Sequence, residues 1–247
     1  MFSEHLLDAL SRAHSVAVLT GAGISAESGV PTFRDPGGLW AQFKPEELAN
    51  VDAFMRNPTL VWQWYSHRRE VIGSVQPNAG HFALAALEAL YGDFTLITQN
   101  VDGLHARAGS MRIIELHGSI QRSFCMDCAR RYDEVAVPPS VEAPLCACGG
   151  RIRPDVVWFG EMLPPDAVRA AWAAAERSEV FFSIGTSGEV HPAAQLPAIA
   201  RERGAYVVEV NTKQTAISHR MHESLLGPSG TILPALVDAL TTRKTTA

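Results

Sequence analysis

Short apolar runs recur along the chain, each ending in glycine or polar residues, with helix-like segments between them. Val16-Ala17-Val18-Leu19-Thr20 is the first, and Phe94–Thr98, Arg112–Leu116, Val180–Ile184 and Tyr206–Val210 follow. Runs of this length predict strands buried on both faces, as in a parallel sheet. Between them, Asn78 predicts an N-cap, the segment to Leu90 is rich in Ala and Leu, and Gly92 predicts a stop. Helices are also expected over Pro164–Arg177, Pro192–Arg203 and Pro234–Leu240. Alternating strands and helices predict an α/β fold, a Rossmann-like, doubly wound parallel sheet.

Two stretches break the rhythm. Residues 41–75 read as a helical segment with Trp62, Trp64 and Tyr65, and residues 121–154 hold the cysteines and Pro138-Pro139. The pattern predicts a main domain from 1–40, 76–120 and 155–247. The helical insertion 41–75 and the 121–154 module form a smaller lobe. The tail Thr241–Ala247 is expected to fray.

Each predicted strand is followed by a distinctive segment: Gly21-Ala22-Gly23, Gln99-Asn100-Val101-Asp102, His117-Gly118-Ser119, Gly185-Thr186-Ser187 and Asn211-Thr212-Lys213. Ligands of open α/β sheets bind beyond the carboxyl ends of the strands. Five such segments therefore converge on one expected site.

Bulk properties narrow the setting. A chain of 247 residues can bury a real core, and 47% hydrophobic with 19% charged residues is ordinary for a globular protein. A formal net charge of −5 gives no bulk attraction to nucleic acid or membrane. No apolar run reaches the length of a membrane span, and residues 1–13 lack the order of a signal peptide. A cytoplasmic, reducing setting is expected, with no specific nucleic acid and no membrane among the partners.

The local chemistry leaves alternatives open. Gly21-Ala-Gly23-Ile-Ser-Ala26 fits a dinucleotide turn after a strand, or a tight strand-to-helix turn alone. No second strand carries an acidic residue about 20 positions later, which speaks against hydride transfer. Asn100 and Asp102 suit a turn as well as a ligand. His117 is a structural histidine or a general base, since imidazole titrates near working pH. Cys125-x-x-Cys128 and Cys146-x-Cys148, 17 residues apart, suit a four-thiolate zinc site. The alternatives are a redox pair, which would not need the second pair, or buried thiols. A closed set of four leaves no open position, so this zinc would be structural, one per chain.

Together these segments resemble the sirtuin family. The resemblance runs through Gly21 to Asp35, Thr98–Asp102, Leu116–Ser119, the paired cysteines, Val157-Trp-Phe-Gly-Glu161, Gly185–Ser187 and Asn211–Lys213, covering roughly residues 14–235. It implies an enzyme that uses NAD as co-substrate to remove acyl groups from lysines of proteins or peptides. In the mechanism this resemblance implies, the acyl oxygen attacks the ribose carbon, nicotinamide leaves and an alkylimidate forms. The products are free lysine, nicotinamide and O-acyl-ADP-ribose. The resemblance makes His117 the base and gives Asn100 a catalytic part. Asn100 and Asp102 would hold the nicotinamide carboxamide and ribose, with Gln99 as a ribose contact. Gly21, Ala22, Gly23 and Ala26 would face the cofactor, as would Gly185, Thr186 and Ser187 from the fourth strand. Asn211, Thr212 and Lys213 join from the fifth, and Ser229 from beyond it. Arg34 would face phosphate or ribose and Phe33 would shield the reactive carbon. Val157, Phe159 and Glu161 would belong to the strip that takes the peptide as an added strand.

Tyr65 and Arg68, at i and i+3, share one face if the insertion is helical. They suit an ordinary amphipathic helix. They also resemble the acyl-pocket pair of class III sirtuins, which prefer negatively charged acyl groups, and Ala49 matches a small pocket residue of that class. A guanidinium suits a carboxylate because its fork binds both oxygens. Succinyl and malonyl groups are therefore the expected substrates, with acetyl also accepted. The alternatives are mono-ADP-ribosyl transfer and a non-catalytic NAD-sensing module.

Overall fold

A computed structural model describes residues 2–30, 48–133 and 142–246. Strands β1 (Ser15–Thr20), β2 (Asp93–Thr98), β3 (Ile113–Glu115), β7 (Val180–Ile184), β8 (Tyr206–Asn211) and β9 (Glu223–Leu226) form a six-stranded sheet in the order β3-β2-β1-β7-β8-β9. All pairings in it are parallel. The chain leaves β1 in one direction across the sheet and later returns to fill the other side. That reversal between β1 and β7 is the switch point where a crevice opens at the strand ends.

Helices cover both faces. On one, α1 (Glu4–Arg12), α5 (Ala79–Ala89) and α9 (Ser229–Thr246) pack Leu6, Leu84, Leu87 and Leu236 onto Val16, Val18, Phe182 and Val208. On the other, α7 (Pro165–Arg177) and α8 (Leu196–Glu202) pack Ala171, Ala175, Leu196 and Ala200 onto Ala17, Leu19, Phe181 and Val207. Alternate strand residues feed opposite faces, and both faces are buried, which explains the continuous apolar runs. Asn78 caps α5 as expected, and His81 closes the capping box by accepting from the Asn78 backbone.

The smaller lobe has its own sheet. β4 (Gly118–Cys125), β5 (Arg131–Tyr132) and β6 (Ile152–Val156) pair antiparallel in the order β5-β4-β6. Against it lie α3 (Val51–Arg56) and α4 (Pro58–Ser74). Phe54, Val61, Tyr65, Ile120 and Trp158 form one core there, and Trp62, Cys125, Cys146 and Ile152 a second. Arg69 ties α4 to β4: its Nε donates to Ile120 O at 2.6 Å and its Nη2 to Ser123 Oγ at 3.0 Å. Among the described residues no helix is long and apolar enough to cross a membrane. The Thr241–Thr246 segment expected to fray continues α9 instead.

Candidate active site and metal centre

The glycine turn after β1 owes its composition to a neighbouring strand. Gly21 N donates to Ile184 O at 3.0 Å, and Gly23 N to Gly185 O at 2.8 Å. A Cβ on Gly23 would stand 2.7 Å from Gly185 Cα, and one on Gly21 would stand 2.9 Å from Gly185 O. Gly185 itself has φ +60. The three glycines let the β1 and β7 loops interlock at the switch point; the close approach is between two backbones. Ala22 and Ala26 lie on α2 (Ala22–Ala26), which starts from this turn.

The loop after β2 locks onto the same turn. Asn100 Nδ2 donates to Gly21 O and to Ser25 Oγ, each at 3.1 Å. Ser25 Oγ donates to Asp102 Oδ2 at 2.7 Å, and Asp102 Oδ1 accepts at 2.9 Å from Leu104 N, the start of the short helix α6 (Leu104–Arg107). Asn100, Ser25 and Asp102 are all buried. Ser25 was not singled out from the sequence. The available signal was a small hydroxyl inside the glycine motif, one turn into the helix that faces the Asn-x-Asp loop.

His117 follows β3, and its Nδ1 lies 2.9 Å from Gln99 O. A carbonyl only accepts, so Nδ1 carries the proton and Nε2 keeps a lone pair. Burial lowers the His117 pKa, and the bond to Gln99 raises it partway back. The imidazole is thus neutral at working pH and ready to accept a proton. Gln99 reaches this site through its backbone carbonyl. Gly118 has φ +77, and a Cβ there would meet Asp155 O at 2.0 Å. Gly118→Ala is therefore expected to push β4 from β6, shift His117 and lower both melting temperature and turnover.

Two further histidines, on α5 and α6, are buried. The His81 and His105 rings are 4.9 Å apart, and His105 Nε2 meets Thr20 Oγ1 at 2.9 Å. Burial holds their pKa values at about 4 and about 3. A depressed histidine supplies stability above its unfolded pKa of about 6.5 and loses it as pH falls. Stability is therefore expected to decline from about pH 6.5 toward pH 3–4, with His105→Gln flattening that acid limb in urea melts recorded against pH.

Other predicted cofactor residues line the same strand ends. Thr186 Oγ1 accepts from Gly188 N, Ser187 Oγ from Glu189 N, and Asn211 Nδ2 donates to Thr186 O. Thr212 and Lys213 are exposed beside them. Ser229 lies at the end of α2 that faces away from the turn: its Oγ donates at 2.8 Å to Oε1 of Glu27, the residue after Ala26. Phe33 and Arg34 lie outside the described residues.

On the small lobe, Tyr65 and Arg68 do share a face of α4. Ala49 packs in the same buried core as Tyr65 and Trp158. Burial pushes the Tyr65 hydroxyl up to about 12 and pulls Arg68 below the usual arginine value. The Arg68 guanidinium lies 4.8 Å from the Trp64 ring centre. Val157 N donates to His117 O and Phe159 N to Ala49 O, so the predicted peptide strip joins the two lobes. The Glu161 carboxylate turns inward to Arg153 and the Trp158 N–H.

The four cysteine sulfurs lie within 4.8 Å of one another. Cys125 and Cys148, and Cys128 and Cys146, stand 3.6 Å apart, too far for disulfides. A zinc ion with bonds of about 2.3 Å sets tetrahedral sulfur edges of about 3.8 Å. The cluster fits that tetrahedron, so the four thiolates form a structural zinc site with no open position.

Comparison with known proteins agrees with this geometry. Residues 21–192 match the Sir2 family. NAD-dependent protein deacylase 2 of Pyrobaculum aerophilum is 52% identical over 240 residues, 97% of this chain and 96% of that protein. NAD-dependent protein deacylase 1 of Pseudomonas aeruginosa is 48% identical over 94% of this chain and 96% of its own. The structure of a Sir2 homolog–NAD complex superposes with TM-score 0.91 at 44% identity, covering 100% of this chain and 96% of that one. A Sir2–p53 peptide–NAD+ structure superposes with TM-score 0.88 at 33% identity, covering 98% of this chain and 100% of that one. With this extent of agreement in sequence, fold and site, the chain belongs to the Sir2 family and is an enzyme of the sirtuin type.

Proposed function

We propose that this enzyme removes acyl groups from lysine side chains of proteins, using NAD as co-substrate, and prefers succinyl and malonyl groups over acetyl. The observation that carries the reading is His117, neutral and held in one tautomer by Gln99 O, beside the interlocked Asn100–Ser25–Asp102 cluster at the switch point. In this reading the main domain binds NAD beyond the strand ends, through the β1, β2, β7 and β8 loops. Asn100 and Asp102 take the nicotinamide end, Gln99 and Ser229 add contacts, and His117 Nε2 accepts a proton from the ribose hydroxyl system. The acyl-lysine enters between the lobes, with its peptide along Val157, Phe159 and Glu161. The named relatives and the peptide complex support the same assignment.

The acyl preference rests on Tyr65, Arg68 and Ala49. A carboxylate entering an enclosed channel is costly unless paired. Arg68 supplies the charge and Tyr65, protonated at working pH, a hydroxyl donor. Losing a charge-assisted bond costs roughly 10- to 150-fold. Arg68→Met is thus expected to lower the ratio of succinyl to acetyl kcat/KM by about that factor. Steady-state assays with acetyl-, malonyl-, succinyl- and glutaryl-lysine peptides test this. An unchanged ratio, or a wild-type enzyme indifferent to succinyl-lysine, contradicts the preference and leaves the deacylase assignment standing.

A further inference from the structure

A buried hydrogen bond in the small lobe links the peptide strip to α4. Trp158 Nε1 donates to Tyr65 Oη at 2.8 Å, and both side chains are buried. An indole N–H can only donate, whereas a phenol both donates and accepts. The bond therefore has one polarity: Tyr65 is the acceptor, and its own proton must point elsewhere. Burial keeps that proton in place, with the Tyr65 pKa pushed up to about 12.

The indole is held firmly for this task. The Arg153 guanidinium sits 3.3 Å from the Trp158 ring centre, and Phe54 packs at 5.3 Å. Arg153 grips Glu161 with both terminal nitrogens, at 2.5 and 2.9 Å. Glu161 in turn accepts the Trp158 backbone N–H at 2.7 Å. On the other side, Tyr65 stands edge-on to Trp64 at 4.6 Å, and Trp64 carries the Arg68 guanidinium. An aromatic path thus runs from the Arg153–Glu161 pair to Arg68.

We propose that Trp158 is a positioning residue for acyl selectivity: its indole N–H aims the Tyr65 O–H at the terminal carboxylate of an acyl group bound beside Arg68. This rests on the acidic-acyl reading above. Without the indole donor, the Tyr65 hydroxyl can turn its proton away, and the pocket loses one oriented donor while keeping the Arg68 charge. An acetyl group has no terminal carboxylate to receive that bond.

The test is Trp158→Phe, which keeps an aromatic ring against Arg153 and removes the N–H, measured beside Tyr65→Phe and the double variant. The succinyl-to-acetyl ratio of kcat/KM is expected to fall about 3- to 10-fold in Trp158→Phe, the size of one neutral hydrogen bond, through KM for succinyl-lysine. Because Trp158 acts through Tyr65, the double variant is expected to show the ratio of Tyr65→Phe alone. If Trp158→Phe lowers both substrates equally, or the two losses in the ratio add, the role is structural and the inference is overturned. A wild-type enzyme with no succinyl preference overturns the acyl reading itself and the inference with it, so the two failures are told apart by the unmutated protein.

Discussion

Replacing His117 by alanine is expected to lower deacylation about 10²–10⁴-fold, the range of general-base catalysis, with little change in melting temperature. The residue follows a short strand, β3, whose register with β2 carries it to the carboxyl edge of the sheet. Its Nδ1 is committed to Gln99 O, leaving Nε2 as the basic atom. Burial depresses its pKa, so the basic form persists below the ordinary imidazole range. The acid limb of kcat/KM belonging to this group should therefore fall below about pH 6.5, and it should vanish in the variant's residual activity. Slow nicotinamide release is expected to persist in His117→Ala, since in the proposed mechanism the base acts after that bond breaks. A variant with near-normal turnover and an unchanged pH profile would remove His117 from the role.

Removing zinc is expected to abolish activity by a different route. The second core of the small lobe consists of Trp62, Cys125, Cys146 and Ile152, with Tyr132 and Ala143 at its edge. Two of those four buried members are metal ligands, so the metal does much of what a larger core would do. Structural zinc contributes about 10–16 kcal/mol in small modules, comparable to the whole stability of a domain. Cys125→Ser or strong chelation should unfold β4–β6 around the knuckles. The damage should spread to α4, because Trp62 lies on the helix that carries Tyr65 and Arg68. The expected readings are about one zinc per chain in the native protein, a lower melting temperature after chelation and parallel loss of activity. A zinc-free protein that stays folded and active would contradict this.

The parallel sheet was readable because both of its faces are covered. Strands such as Val180–Ile184 then become unbroken apolar runs between turns. β9, Glu-Ser-Leu-Leu at the sheet edge, has no such run and was not expected. Pro234 suggested a helix start, yet α9 begins at Ser229, where Glu27 holds the Ser229 hydroxyl and the Gly230 N–H. Pro192–Arg203 was expected as one helix and is a 3₁₀ turn, Ala193–Gln195, leading into α8. The antiparallel sheet of the zinc module was not visible either, since polar residues alternate irregularly across a bulge between Ser119 and Ser123.

At the site, strand-end position located the loops that converge. Ser25 and Trp158 act through partners 77 and 93 residues away, and no local period encodes such contacts. The inward turn of Glu161 and the bond between Ser229 and Glu27 are likewise tertiary. The glycine motif was legible as a tight turn, while its reason, the approach to Gly185, needed the fold.

NAD-dependent deacylation is read from one incubation of the purified protein with NAD and a succinyl-lysine peptide, followed by mass spectrometry and nicotinamide quantification. Nicotinamide, free-lysine peptide and O-succinyl-ADP-ribose are expected in equal amounts, with none of them formed when NAD is omitted. Nicotinamide release with ADP-ribose attached to an acceptor protein and the acyl-lysine intact, or no NAD consumption with any acyl peptide of the panel, would contradict the deacylase assignment.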